Sequence, residues 1–193
     1  MKKPYSGFTL VELMIVVAIV GVLAVLGVVG YRRIITSSRT AEPKQVIGSI
    51  RMAQESYKAE TGSYAHVHGN TTPAEGDFCP QKRAVSGYGG KKWGWNPACP
   101  VNAVPNPLTP GAQMPFGTLP VHVDGPVMFG YATTAGAPNV AVSGATLNNQ
   151  AINFPAPTSD WYVVYAVGDT DDNGQLARAV GSSFSKDIFV QEE

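Results

Sequence analysis

The stretch from Gly7 to Tyr31, GFTLVELMIVVAIVGVLAVLGVVGY, constrains this chain more than any other. Between Phe8 and Tyr31 the only charge is Glu12. As a helix rising about 1.5 Å per residue, the run spans roughly 36 Å, enough to cross a bilayer core. The chain is therefore expected to be membrane-bound at some stage. An ionised carboxylate in hydrocarbon costs several kcal/mol unless it is paired or close to the interface, so Glu12 calls for a partner. No Lys or Arg lies between Glu12 and Arg32, and the preceding cations, Lys2 and Lys3, come before Gly7. A cut between Gly7 and Phe8 would free an α-amino group at Phe8. On a neighbouring copy, that amine would suit Glu12 as a counter-ion.

Two simpler readings compete. A secretory signal peptide has a shorter apolar core that ends in a small-residue cleavage site and is removed whole. Here the small residues Ala18 to Gly21 fall in the middle of the run. A plain uncleaved anchor would gain nothing from an acid at Glu12. The residues Lys2-Lys3 and Gly7-Phe8-Thr9-Leu10-Val11-Glu12-Leu13-Met14-Ile15-Val16-Val17-Ala18-Ile19 closely resemble the class III leader and mature N-terminus of type IV pilins and of type II secretion pseudopilins. The resemblance implies that a prepilin peptidase cleaves between Gly7 and Phe8 and methylates the Phe8 amine. It also implies that Glu12 neutralises the Phe8 amine of an adjacent subunit in a filament core. Many pilins carry proline where this chain has Val29. Here Gly27 and Gly30 flank that position, and each costs about 1 kcal/mol relative to Ala in a helix, a different route to local loosening.

The 193 residues, 44% hydrophobic, can hold one modest domain beyond the helix. Net charge is zero but unevenly spread. From Tyr31 to Lys92 there are ten Lys/Arg against five Asp/Glu, and from Trp93 onward two against eight. Opposite halves of neighbouring copies could attract, or the two surfaces could simply be solvated. The uniform basicity that suits nucleic-acid binding is absent, and no nucleic acid is expected as main ligand.

Arg32, Arg33 and Arg39 follow the apolar run, so with Lys2 and Lys3 on its other side the positive-inside signal is mixed. The resemblance implies a leader in the cytoplasm and a body in the periplasm. Val46, Ile50, Ala53 and Tyr57 then form a helical stripe, with Lys44, Arg51, Glu55 and Lys58 on other faces. Pro43 predicts a kink near Thr40–Pro43 rather than a helix end, because the stripe resumes at once. Gly62 is the expected C-cap. From Ala65 to about Asp124, Gly and Pro are dense and the chain reads as a long irregular excursion. Cys79 and Cys99, the two cysteines of an exported chain, are expected to form a disulfide worth about 3 kcal/mol. Phe78, Tyr88, Trp93 and Trp95 supply apolar bulk to pin this region. Pro126–Thr134, Trp161–Val167 and Asp187–Gln191 read as strands of one antiparallel sheet. The first two are apolar almost throughout, which suits strands covered on one face by the helix and on the other by loop or a neighbouring subunit.

Little in the chain suggests chemistry. Asp169-Thr170-Asp171-Asp172-Asn173-Gly174 begins like a calcium loop, with Asp169, Asp171 and Asn173 as candidate ligands. The twelfth position, where a bidentate Glu belongs, is Val180, and an Asp-Asn-Gly turn is also an ordinary hairpin loop. Some pseudopilins hold calcium in this region, so the resemblance keeps that reading alongside the turn. His66 and His68 would share one side of a strand, a minimal metal pair, although exposed loop histidines are far commoner. Asn70-Thr71-Thr72 matches a glycosylation triplet but is weak alone. No catalytic constellation is present, so no enzyme and no cofactor other than calcium is expected.

The expected fold class is α+β: a long N-terminal helix, half transmembrane and half amphipathic, packed on a small antiparallel sheet through a Gly/Pro-rich loop. The expected division is leader 1–7, helix 8–62 with 8–31 as transmembrane segment and filament core, loop region 63–125, and sheet region 126–193. The resemblance implies a type IV pilus subunit, single-pass in the inner membrane before assembly. Its partners would be the prepilin peptidase, the assembly machinery and copies of itself in an extracellular filament for adhesion and twitching motility. The alternatives are a type II secretion pseudopilin, or a minor pilin acting as tip adhesin or DNA-uptake receptor.

Overall fold

The computed structural model describes residues 7–67, 78–80, 90–99, 114–142, 146–147 and 150–191. Lys2, Lys3, His68, the Asn70-Thr71-Thr72 triplet and Tyr88 lie outside the described residues. The chain divides into two compact units, Met1–Ser38 and Arg39–Glu193.

Helix α1, Leu10–Thr61, is a single element that continues through Pro43. Its end follows from local chemistry. Gly62 takes a left-handed φ of 83°, which a residue with a Cβ adopts only at a cost, and its N–H donates to the Lys58 carbonyl at 2.8 Å. Lys58 also brings a positive charge to the last turn, where the helix dipole favours it.

In the larger unit, β1 (Gly130–Gly136), β4 (Trp161–Gly168), β5 (Ala177–Ser182) and β6 (Ile188–Gln191) form an antiparallel sheet in the order β1-β4-β5-β6. Two short strands, β2 (Thr146–Leu147) and β3 (Gln150–Ala151), pair separately. The register places Thr133 of β1 opposite Val164 of β4, and Tyr165 of β4 opposite Val180 of β5.

Alternation along these strands produces two cores. Tyr162, Val164 and Ala166 of β4, with Tyr131 and Ala179, face Val46, Ile47, Ile50 and Ala53 of α1. Trp161, Val163 and Tyr165, with Ala132 and Val180, face the other way and meet Phe78, Val142, Ile152, Phe154 and Phe184. The second face of the sheet is thus covered by segments of this same chain. The expected stripe is present, with Val46, Ile50 and Ala53 buried and Tyr57 partly so; Ile47 and Gln54 add to it.

Three strands were expected where the sheet has four, because β5 reads Ala-Arg-Ala-Val-Gly-Ser, with Val180 its single β-branched residue and no aromatic to mark it as a strand. Its small residues have a tertiary cause. A Cβ on Gly181 would lie 2.5 Å from Cγ2 of Ile47, so the helix sits where a side chain would otherwise stand.

The excursion covers the free edge of β1. Cys79 and Tyr131 exchange both backbone hydrogen bonds at 2.8 Å, the Val67 N–H donates to the Thr133 carbonyl at 3.1 Å, and Trp93 and Val127 exchange a second pair at 2.8 Å. Cys79 and Cys99 are disulfide-bonded with their Cα atoms 5.6 Å apart. A 3-10 turn, Phe116–Thr118, docks on this segment through Phe116 N–H to the Cys99 carbonyl, and Trp95 packs edge-on against Phe116 at 5.1 Å. Of the aromatics expected to pin the region, Phe78 and Trp95 enter the cores and Trp93 pairs with Val127.

Candidate assembly site

In the smaller unit the chain enters α1 through Gly7, Phe8 and Thr9. Thr9 and Glu12 close a reciprocal pair there. The Glu12 N–H donates to Thr9 Oγ1 at 3.2 Å, while Glu12 Oε2 accepts from the Thr9 N–H at 3.2 Å and from its hydroxyl at 3.0 Å. This is a capping box, which satisfies donors that the first helical turn leaves open and contributes about 1 kcal/mol. Glu12 thus has a local hydrogen-bond partner in Thr9, which carries no charge. The Thr-x-x-Glu spacing ahead of an apolar run is the sequence signal that reveals it.

Beyond this cap, Leu10–Tyr31 is a 22-residue stretch of mean hydropathy 3.0 with none of it buried. Its side chains are apolar all round, from Ile15 at 54% exposed to Leu10 at 76%. A soluble helix shows an apolar stripe and a polar face; one without a polar face needs lipid or other helices around it. Ala18 and Gly21 lower the surface between Val17, Val22, Val25 and Leu26, leaving a shallow apolar notch of about 420 Å³. Small residues of this kind let a second helix approach closely.

The larger unit is held by polar ties that the sequence reading missed. Oε1 of Glu42 accepts from the backbone N–H of Met128 at 2.7 Å and of Phe129 at 3.1 Å, and from the Tyr131 hydroxyl at 3.2 Å. Burial, with the Glu42 carboxylate beside it, holds the Tyr131 phenol well above its ordinary value of 10.0. The fully buried Gln54 amide donates to the Ala65 carbonyl at 2.8 Å and to Thr133 Oγ1 at 3.1 Å, and accepts from the Ala65 N–H at 2.9 Å. Arg51 donates to the carbonyls of Ser185 and Lys186, both at 2.8 Å, fixing the turn between β5 and β6. Nothing in a one-dimensional pattern marks these residues, since their partners come from distant parts of the chain.

The candidate metal-ligating side chains make hydrogen bonds to nearby backbone amides. Asp169, 1% exposed, accepts from the Asp172 N–H at 2.7 Å through Oδ1 and from the Gly174 N–H at 2.9 Å through Oδ2. Asp171 Oδ1 accepts from the Asn173 N–H at 3.2 Å, and Asn173 Oδ1 from the Gln175 N–H at 2.6 Å. The loop thus uses these oxygens on its own amides, as Asx turns do. Nδ1 of His66 lies 3.1 Å from the Ala135 amide nitrogen and 3.2 Å from its carbonyl oxygen, and burial lowers its pKa below the ordinary 6.5. Among the described residues no group of three or more His, Cys, Asp or Glu side chains assembles into a metal cluster.

Residues 2–28 match the family model for the prokaryotic N-terminal methylation motif. The chain is 34% identical over 82 residues to the type IV major pilin protein PilA of Myxococcus xanthus, a match covering 42% of this chain and 35% of that protein. It is 44% identical over 55 residues to the type IV major fimbrial protein FimA of Dichelobacter nodosus, covering 28% of this chain and 35% of that one. A longer match, 29% identical over 130 residues, joins it to type II secretion system core protein G of Pseudomonas aeruginosa and covers 64% of this chain and 87% of that protein. The chain spans only about a third of the length of the fimbrial relatives it matches. No solved structure matches it. Over its N-terminal segment, where the methylation motif and the capped apolar helix coincide, the chain is similar to type IV pilins and fimbrial proteins and to a type II secretion core protein.

Proposed function

We propose that this chain is a structural, non-enzymatic subunit of a type IV pilus, built into an extracellular filament through its N-terminal helix and used for adhesion and twitching motility. The observation that carries the reading is the apolar segment Leu10–Tyr31, wholly exposed in the single chain and preceded by a methylation motif. Such a surface is satisfied in turn by the inner membrane, as a single-pass anchor, and by neighbouring copies in a fibre. In this reading a prepilin peptidase cuts between Gly7 and Phe8 and methylates the new amine. Glu12 then meets the Phe8 amine of the next subunit, and the pilus machinery drives assembly.

The capping box sharpens the test. Glu12→Gln keeps an acceptor for the Thr9 donors but removes the charge, so the helix start stays capped. Membrane insertion is expected to persist while surface fibres are lost or sharply reduced. Fibres of normal number and length, imaged on cells carrying only this variant, would sink the pairing.

The second reading is a type II secretion pseudopilin, whose fibre stays short and in the periplasm. It is favoured by the match to core protein G, which extends over 87% of that protein. Sheared surface filaments composed mainly of this chain support the pilus. Retention in the envelope, with a secretion defect on deletion, supports the pseudopilin. Neither reading requires calcium, and the loop at Asp169, Asp171 and Asn173 is proposed here as a self-capped turn.

A further inference from the structure

We infer that Asn173–Gly174, in the turn between β4 and β5, is a site of spontaneous covalent modification at which Asn173 converts to aspartate or isoaspartate. It is the one Asn-Gly pair in the sequence. Both residues are exposed, Gly174 has a φ of 81°, and nothing stands within 4 Å of where its Cβ would be. Gly174 thus carries no side chain to shield its nitrogen from the Asn173 side chain, and the hydrogen on that nitrogen is engaged by Asp169.

The turn supplies the two aids such a reaction needs. Asp169 Oδ2 sits 2.9 Å from the Gly174 nitrogen and accepts its proton-bearing bond, which places a general base at the nucleophile. The second Asp169 oxygen, held by the Asp172 N–H at 2.7 Å, fixes that carboxylate in position. Across the pair, the Gln175 N–H donates to Asn173 Oδ1 at 2.6 Å, where negative charge develops as the side-chain amide is attacked.

In the reaction the Gly174 nitrogen forms a bond to Cγ of Asn173 as Asp169 takes its proton and the carbonyl electron pair moves onto Oδ1. Return of that pair breaks the bond from Cγ to the side-chain nitrogen, which leaves as ammonia, carrying the proton relayed by Asp169. Water then opens the resulting succinimide at either carbonyl, leaving aspartate or isoaspartate at position 173. The net change consumes one water and releases one ammonia. It adds a carboxylate beside Asp169, Asp171 and Asp172 and, in the isoaspartate, one more backbone carbon to the turn.

The test is to age the full chain in detergent at mildly alkaline pH and map conversion by mass spectrometry, beside the same chain unfolded in urea. Asn173 is expected to convert severalfold faster in the folded chain than in urea, and ahead of Asn139 and Asn153. Asp169→Asn and Gln175→Pro, which remove the base and the donor, are each expected to slow the folded chain toward the urea rate. A folded chain that converts no faster than the unfolded one overturns the inference, as do two variants that both keep the parent rate.

Discussion

Oε1 of Glu42 and the hydroxyl of Tyr131 lie 3.2 Å apart, and the same oxygen receives the backbone amides of Met128 and Phe129. One carboxylate on α1 therefore gathers three donors at the start of β1, beside the only proline inside the helix. Glu42→Ala leaves the buried Tyr131 hydroxyl and two amides without this acceptor and is expected to destabilise the larger unit by about 2 kcal/mol. Glu42→Gln, which keeps an acceptor, should lose less. Urea midpoints of the full chain in detergent would rank the two, and equal midpoints for Glu42→Ala and the parent would remove the tie.

Gly181 and Ile47 meet where the helix lies on β5. Gly181→Ala drives a methyl into Ile47, and overpacking of this kind costs about 1–3 kcal/mol. Adding Ile47→Ala removes Cγ2, the atom that the new methyl would meet. The double variant should therefore be more stable than the sum of the two single losses predicts, a coupling that a double-mutant cycle reads directly.

His66 gives the larger unit a pH dependence of known sign. Its folded-state pKa lies below the ordinary 6.5, because burial disfavours the charged ring by more than the hydrogen bond to the Ala135 backbone favours it. As pH falls below about 6.5 the unfolded chain binds the proton first, so stability drops until the folded form also protonates. Above that pH the contribution is fully present. Denaturant midpoints between about pH 7 and pH 5 should fall more steeply for the parent than for His66→Leu. Parallel slopes would exclude the histidine as the cause.

The Cys79–Cys99 bond holds the segment that pairs with the outer edge of β1. Its loss, by Cys79→Ser with Cys99→Ser, should cost about 3 kcal/mol. The amides of Cys79 and Tyr131 should then exchange with solvent faster than those between β4 and β5. Uniform exchange across the sheet would show that the edge holds without the bond.

The sequence carried far into this fold where the governing interactions are local. An uninterrupted apolar run states its own environment, Gly62 ends the helix that precedes it, and Thr9 and Glu12 meet because three residues of helix bring them together. The stripe from Val46 to Tyr57 and the alternation in β4 are periodic, and periodicity survives in one dimension. The strand β5 was not legible, since its Ala and Gly residues answer to Ile47 rather than to strand preference. The Asp169 loop reads two ways in one dimension, because acidic residues at alternate positions suit both a cation and a set of turn amides.

By itself, then, the sequence determined that this chain has a long helix with a lipid-compatible first half, an amphipathic second half, and a sheet to cover it. Only the tertiary structure decided which polar groups hold the larger unit together: Glu42 reaches an amide 86 residues away, and Gln54 a hydroxyl 79 residues away. Hydrophobic burial is nearly indifferent to which apolar neighbour supplies it, so its pattern can be read along the chain. A buried hydrogen bond depends on distance and angle between particular atoms, and those are set only when the strands have taken their order.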